Sequence, residues 1–101
     1  MAKARSISAA SLSKLTQAAV KAATQDVPGR FLGKGPTMGY ILRGELATSR
    51  QLELATKITS GVAQGAKSAG IAGLRPSPVV VIRPGKITVG FIAPELGITI
   101  R

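Results

Sequence analysis

The clearest pattern in the chain is a β-branched run at 79–82, followed by a turn signal and a second alternating run at 87–92. We predict a β-hairpin here, with Pro84 and Gly85 as a two-residue turn. Proline followed by glycine is not a favoured pair in such turns, so a bulge or a longer loop is an open alternative. The two-residue turn pairs four residues across the strands: Ile82 with Ile87 and Val80 with Val89.

A second turn at 94–97 and an apolar run at 98–100 extend this hairpin to a predicted meander over 78–101. With Glu95 and Leu96 as the second loop, the register separates a core face from a basic, mixed face. The predicted core face comprises Val80, Ile82, Ile87, Val89, Phe91, Ile98 and Ile100. The other face comprises Val81, Arg83, Lys86, Thr88, Gly90, Thr99 and Arg101.

Helical periodicity predicts a first helix over 8–25, preceded by a basic arm at 1–6. Its polar side comprises Lys14, Gln17, Lys21 and Thr24, and its apolar side comprises Leu12, Leu15, Ala19, Ala22 and Ala23. Ser8 or Ser11 could cap its start. The proline and glycine within 27–29 end it.

A second helix is predicted over 45–68, with Glu45 favouring its N-terminus. Its polar stripe comprises Arg50, Glu53, Lys57, Ser60, Gln64 and Lys67, opposite Leu52, Ala55, Ile58, Val62 and Ala66. Two side-chain pairs in the stripe have helix-neighbour spacing: Arg50–Glu53 and Glu53–Lys57. Gly61 and Gly65 either form a close-packing surface, against the first helix or a neighbouring subunit, or end the helix near Gly61.

Residues 28–44 join the two predicted helices and contain five glycines. The segment is too apolar for a free linker, so we predict an ordered loop with a short strand or helical turn at 38–43. Its stretch at 33–37 lacks the spacing of a nucleotide-binding P-loop, which favours a plain turn-rich connector. No internal repeat is evident. The chain therefore predicts one small α+β domain over 1–101, with two amphipathic helices on a C-terminal antiparallel meander of two to three strands.

Composition narrows the function classes. Cysteine, histidine and tryptophan are absent from the 101 residues, which excludes disulfide scaffolds, zinc clusters with those ligands and histidine-based triads. No two of the four acids, Asp26, Glu45, Glu53 and Glu95, share a predicted face. We therefore expect no enzyme activity, no cofactor and no metal, with a histidine-independent nuclease using Tyr40 as a remote alternative.

The remaining evidence on function in the sequence is its excess of basic residues. The 14 lysines and arginines against four acids give a net charge of +10. Such a charge favours DNA, RNA, an acidic protein or an anionic membrane surface as the partner. The residues expected to contact an anion are Arg83, Lys86, Arg101, Lys14 and Lys21. The alternative for the hairpin tip is an ordinary solvent-exposed turn, whose charges prevent the exposed strand edges from pairing with another chain.

No apolar run is long enough for a transmembrane segment, and Lys14, Gln17 and Lys21 interrupt any secretory signal. A cytoplasmic or virion-associated location is expected, with an organelle-targeting role of residues 1–25 as a minor alternative. The first hypothesis is a non-catalytic, self-associating structural component of a phage particle or bacterial assembly, with Gly61 and Gly65 at the self-association surface. The alternative is a nucleic-acid-binding protein that contacts the phosphate backbone without strong sequence preference.

Overall fold

The computed structural model describes residues 9–34, 37–71 and 73–93. These residues form two helices and four strands: α1 (Ala9–Ala23), β1 (Gly29–Lys34), β2 (Thr37–Leu42), α2 (Thr48–Ser68), β3 (Ser77–Arg83) and β4 (Lys86–Ile92). The strands form one sheet in the order β1-β2-β4-β3, and every neighbouring pair is antiparallel. The α+β class is confirmed.

The segment 28–44 contains two paired strands, β1 and β2. The short strand that was one alternative at 38–43 is present as β2, whereas β1 and its pairing with β2 were not predicted. β1 and β2 pair along their whole length, and β2 then pairs with β4 at the centre of the sheet. The sheet is therefore four-stranded and not a C-terminal meander alone. Glycine lowers strand propensity, but at two positions in this hairpin it leaves room for an aromatic ring. A Cβ on Gly33 would overlap the Phe31 ring, and one on Gly29 would lie 2.5 Å from the Tyr40 ring.

The β3–β4 hairpin has the predicted register. Ile82 pairs with Ile87 and Val80 pairs with Val89, with a two-residue turn between Arg83 and Lys86. Gly85 has a φ of 72°, which a type II turn with proline before glycine requires at this position. Among the described residues only glycines have a positive φ. The third strand predicted at 98–100 lies outside the described residues.

Both helices pack on one face of the sheet and form the core with it. α1 lies over β1 and β2, and α2 lies over β4 and β3. The main core side chains are Leu12, Val20, Met38, Tyr40, Leu54, Ile58, Val62, Val89 and Phe91. Two predicted core positions are wrong, because Leu52 is 55% exposed and Ile82, although on the core face of β3, is 67% exposed.

The buried stripe of α1 also differs from the prediction. Thr16 and Thr24 are buried, whereas Ala22 is exposed. The Thr24 hydroxyl donates a hydrogen bond to the Val20 carbonyl at 2.6 Å, which satisfies this polar group inside the core. Of the proposed caps, Ser8 lies outside the described residues and Ser11 lies within the helix.

α2 begins at Thr48, later than predicted, and continues unbroken through both of its glycines to Ser68. A Cβ on Gly61 would lie 2.9 Å from Ala19 Cβ, and one on Gly65 would lie 2.9 Å from Leu15 Cδ1. The two glycines therefore form the close-packing surface for α1, and the helix does not end at Gly61. Their predicted role in self-association stays a prediction.

The order of elements contains a repeat that the sequence did not reveal. Each half of the chain is a helix followed by a β-hairpin, and the second strands of the two hairpins pair at the centre. Tyr40 and Val89, each the fourth residue of its strand, pair with each other. The contacts of Gly61 with Ala19 and of Gly65 with Leu15 show that the helices run antiparallel, so a pseudo-two-fold axis relates the halves.

Candidate nucleic-acid interface

The sheet face turned away from both helices is the candidate interface, and we call it the open face. Strand side chains alternate between the two faces, and Phe31, Tyr40, Val80 and Val89 belong to the helix side. On the open-face side of the strands lie Arg30, Leu32, Ile41, Thr88, Val79, Val81, Arg83 and Lys86, of which Thr88 is buried. Apart from Thr88 its middle is apolar, and Arg83 and Lys86 lie at one end, beside the β3–β4 turn.

Four exposed cationic residues lie at that end, and we call them the basic cluster: Arg30, Arg43, Arg83 and Lys86. Arg83 and Lys86 are directly paired across the β3–β4 hairpin. Arg43 follows β2, and its N–H donates to the Pro28 carbonyl at 3.0 Å, which extends the first hairpin's ladder. The pairing of β2 with β4 ends at Ile41 and Thr88, so Arg43 lies two residues beyond its last pair and Lys86 two residues before it. Arg30 occupies the row that contains Thr88.

The negative charges of the described chain lie away from the open face. None of the four strands contains an acid. Arg50 on α2 binds Asp26 at 3.2 Å and Glu53 at 2.7 Å. Glu45 lies beside Ile87, on the helix side of the sheet. Because cations without neighbouring acids add their fields, the open face is the more positive side of the sheet.

The acids of the helix layer are themselves held by cations. Glu53 accepts a contact from Lys57 Nζ at 3.1 Å as well as from Arg50, which confirms both predicted ion pairs. The hydrogen bond from Lys57 and the nearby Arg50 charge lower the pKa of the Glu53 carboxyl below its ordinary value of 4.5. Asp26 and Glu53 thus offset cations on the helices, and Glu45, two residues after Arg43, is the described acid nearest in sequence to the basic cluster.

The chemistry available on the open face is phosphate binding. Exposed guanidinium and ammonium groups donate charge-assisted hydrogen bonds to phosphate oxygens, and arginine can do so through two bonds at once. The only aromatic residues in the sequence, Phe31, Tyr40 and Phe91, all lie on the helix side. The open face can therefore hold a phosphate backbone but has no ring on which a base could stack.

The structure brings together only part of the predicted anion site. Arg83 and Lys86 are neighbours, but Lys14 and Lys21 lie exposed on α1, on the other side of the sheet. Arg101 lies outside the described residues. Sequence reasoning missed Arg30 and Arg43, because both lie in the glycine-rich segment that was taken for a loop. A weak signal exists only for Arg43, because Met38, Tyr40 and Leu42 recur at every second position and place Arg43 on the opposite side of the strand.

The hydroxyl of Tyr40, the residue considered for a nuclease, is buried and donates to the Val27 carbonyl at 2.7 Å. No cluster of three potential metal ligands and no helix long and apolar enough to cross a bilayer occurs within the described ranges. Comparison with family models, curated proteins and solved structures finds no match.

Proposed function

We propose that the protein is a non-catalytic component that binds the phosphate backbone of nucleic acid through the basic cluster. The observation that carries the proposal is that four exposed cations, two from each hairpin region, lie towards one end of a sheet whose strands contain no acid. Backbone phosphates are the same at every step, so such contacts position a protein without reading sequence.

The shape and chemistry of the open face favour a duplex over a single strand. A single strand is usually held by rings that stack on its bases, and all three aromatic residues lie on the helix side of the sheet. If each of the four cations neutralises one phosphate, the logarithm of affinity falls with the logarithm of salt concentration at a slope of roughly −3 to −4.

The test is fluorescence anisotropy with a labelled DNA duplex, measured over a series of salt concentrations. The double variant Arg83→Glu, Lys86→Glu removes half of the basic cluster. The matched control, Lys14→Glu with Lys67→Glu, makes the same change in net charge on the helices. We expect the first variant to lose at least about tenfold in affinity and to have a shallower salt slope.

The control should keep most of the affinity. Equal losses in the two variants would show that net charge alone attracts the duplex and would contradict a localised site. Unchanged binding by the first variant would also contradict it. Circular dichroism of both variants establishes that each retains the fold before its affinity is compared.

A second candidate function is self-association as a structural component of a phage particle or bacterial assembly. Two observations favour it: the half-buried apolar side chains in the middle of the open face and, on the opposite side of the outer strand β3, the exposed Ile82. Size exclusion with light scattering at high salt tests it, since a monomer there argues against this function. The two functions are compatible, because an assembly that packs against a genome needs both properties.

A further inference from the structure

A second candidate site lies on the helix side of the sheet, where α1 and the first hairpin line an open groove of about 530 Å³. We call it the α1 groove. Its floor is the half-buried Phe31 ring above three buried residues, Val20, Thr24 and Tyr40, and its rim carries Gln17, Lys21 and Gln25. The volume falls in the range of small-molecule sites, and the combination of an apolar floor with a few polar groups is typical of them.

The floor of the α1 groove is held in place by backbone features. The Tyr40 hydroxyl donates to the Val27 carbonyl at 2.7 Å, and its ring passes over Gly29, where a Cβ would lie 2.5 Å from the ring. Phe31 pairs with Tyr40 across the strands, and its ring lies over Gly33. The rings are therefore fixed before any ligand arrives, which lowers the entropic cost of binding.

These rings distinguish the first half of the molecule from the second. Val80 and Val89 pair in the second hairpin at the same distance from the turn as Phe31 and Tyr40 in the first. Valine side chains fill that position without presenting a flat surface. The aromatic floor is thus a feature of one half only, beyond what the shared fold requires.

The rim supplies a cation and two carboxamides. Lys21 is exposed, and none of the described acids lines the groove. Asp26, which follows Gln25, has its carboxylate bound to Arg50 at 3.2 Å. A glutamine carboxamide both donates and accepts hydrogen bonds, as the edge of a nucleobase does.

We propose that the α1 groove binds a nucleotide, with the base on the aromatic floor and the phosphate on Lys21. The carboxamides of Gln17 and Gln25 are placed to contact the base edge or the sugar. The site uses none of the basic cluster and lies on the opposite side of the sheet, so it stands independently of duplex binding. The shared chemistry is that of a free nucleotide or of one nucleotide within a single strand.

The test uses the intrinsic fluorescence of the intact protein, because Tyr40 is the only tyrosine and tryptophan is absent. Adenosine monophosphate is titrated beside adenosine and inorganic phosphate. We expect saturable quenching by the monophosphate, with at least about tenfold weaker binding of each of the other two probes. Lys21→Gln should weaken the binding of the monophosphate by a similar factor. Lys14→Gln, on the same helix but outside the groove, should leave this binding unchanged.

A second variant tests the floor, since Phe31→Leu should weaken the binding of both the monophosphate and adenosine. The absence of saturable quenching, equal binding of adenosine and its monophosphate, or full affinity in Lys21→Gln would each overturn the proposal. A short oligodeoxyadenylate identifies the source of the nucleotide. Tighter, Lys21-dependent binding of this strand than of the monophosphate assigns the groove to single strands, and weaker binding assigns it to free nucleotides.

Discussion

The substitution Gly61→Ala tests how closely the two helices approach. Alanine favours a helix over glycine by about 1 kcal/mol, so on an isolated helix the change would be stabilising. In the protein the new Cβ would lie 2.9 Å from Ala19 Cβ and 3.5 Å from Ala19 Cα. Neither atom can rotate away, so the helix backbones must separate, which costs about 1–3 kcal/mol.

We therefore expect a net loss of about 1 kcal/mol, equivalent to roughly 4–8 °C in Tm for a domain of this size. Gly65→Ala is the matched control, because its Cβ would meet the end of the Leu15 side chain, which can adopt another rotamer. It should be neutral or stabilising. The stabilities of these two variants and of the double variant Gly61→Ala, Ala19→Gly are measured by thermal and urea unfolding.

The double variant should show a favourable coupling energy, because Ala19→Gly removes the atom that the new methyl group meets. A Gly61→Ala protein as stable as the natural one would refute the close approach of the helices. A loss that Ala19→Gly leaves unchanged would show that the methyl group meets something other than Ala19.

Two further predictions concern polar groups. Thr16 is fully buried and its hydroxyl has no partner in the described chain, so Thr16→Val should raise the free energy of unfolding by about 1 kcal/mol. The same change at Thr59, whose hydroxyl donates to the Ala55 carbonyl at 2.6 Å, should give no such gain, and equal urea midpoints for the two variants would contradict this reasoning. The lowered pKa of Glu53 makes its ionised form stabilising above the ordinary glutamate pKa, and this contribution is lost as the pH falls through the lower pKa of the folded state. Glu53→Gln should therefore reduce the urea midpoint at neutral pH and not in strong acid, and a pH-independent difference would exclude the ion pairs as its cause.

The β3–β4 hairpin could be predicted in register because two local signals agree. The β-branched run fixes which residues are strand, and the proline–glycine pair fixes where the chain reverses. Most of the buried face of α2 could be predicted for a similar reason, since its charged stripe is continuous. Leu52 departs from that prediction because the apolar arc of a helix is wider than the surface its partners cover.

The first hairpin could be predicted only in part: a short strand at 38–43 was one alternative, but the pairing of β1 with β2 was not predicted. Gly29 and Gly33 lie where aromatic rings cross the strand, a fact visible only after β1 and β2 have been paired. Half of the basic cluster was missed with that hairpin. Arg83 and Lys86 follow from a local turn, whereas Arg30 and Arg43 join them only through the pairing of β2 with β4.

The pseudo-two-fold arrangement has a consequence for how the molecule can specialise. If two separate helix–hairpin chains associated in this way, they would part on dilution and would be identical at every position. A covalent link fixes their stoichiometry at any concentration and frees each half to change alone. One half can then keep glycines and aromatic rings under its helix while the other keeps valines. The interface between the halves forms within one chain, so its formation does not depend on protein concentration.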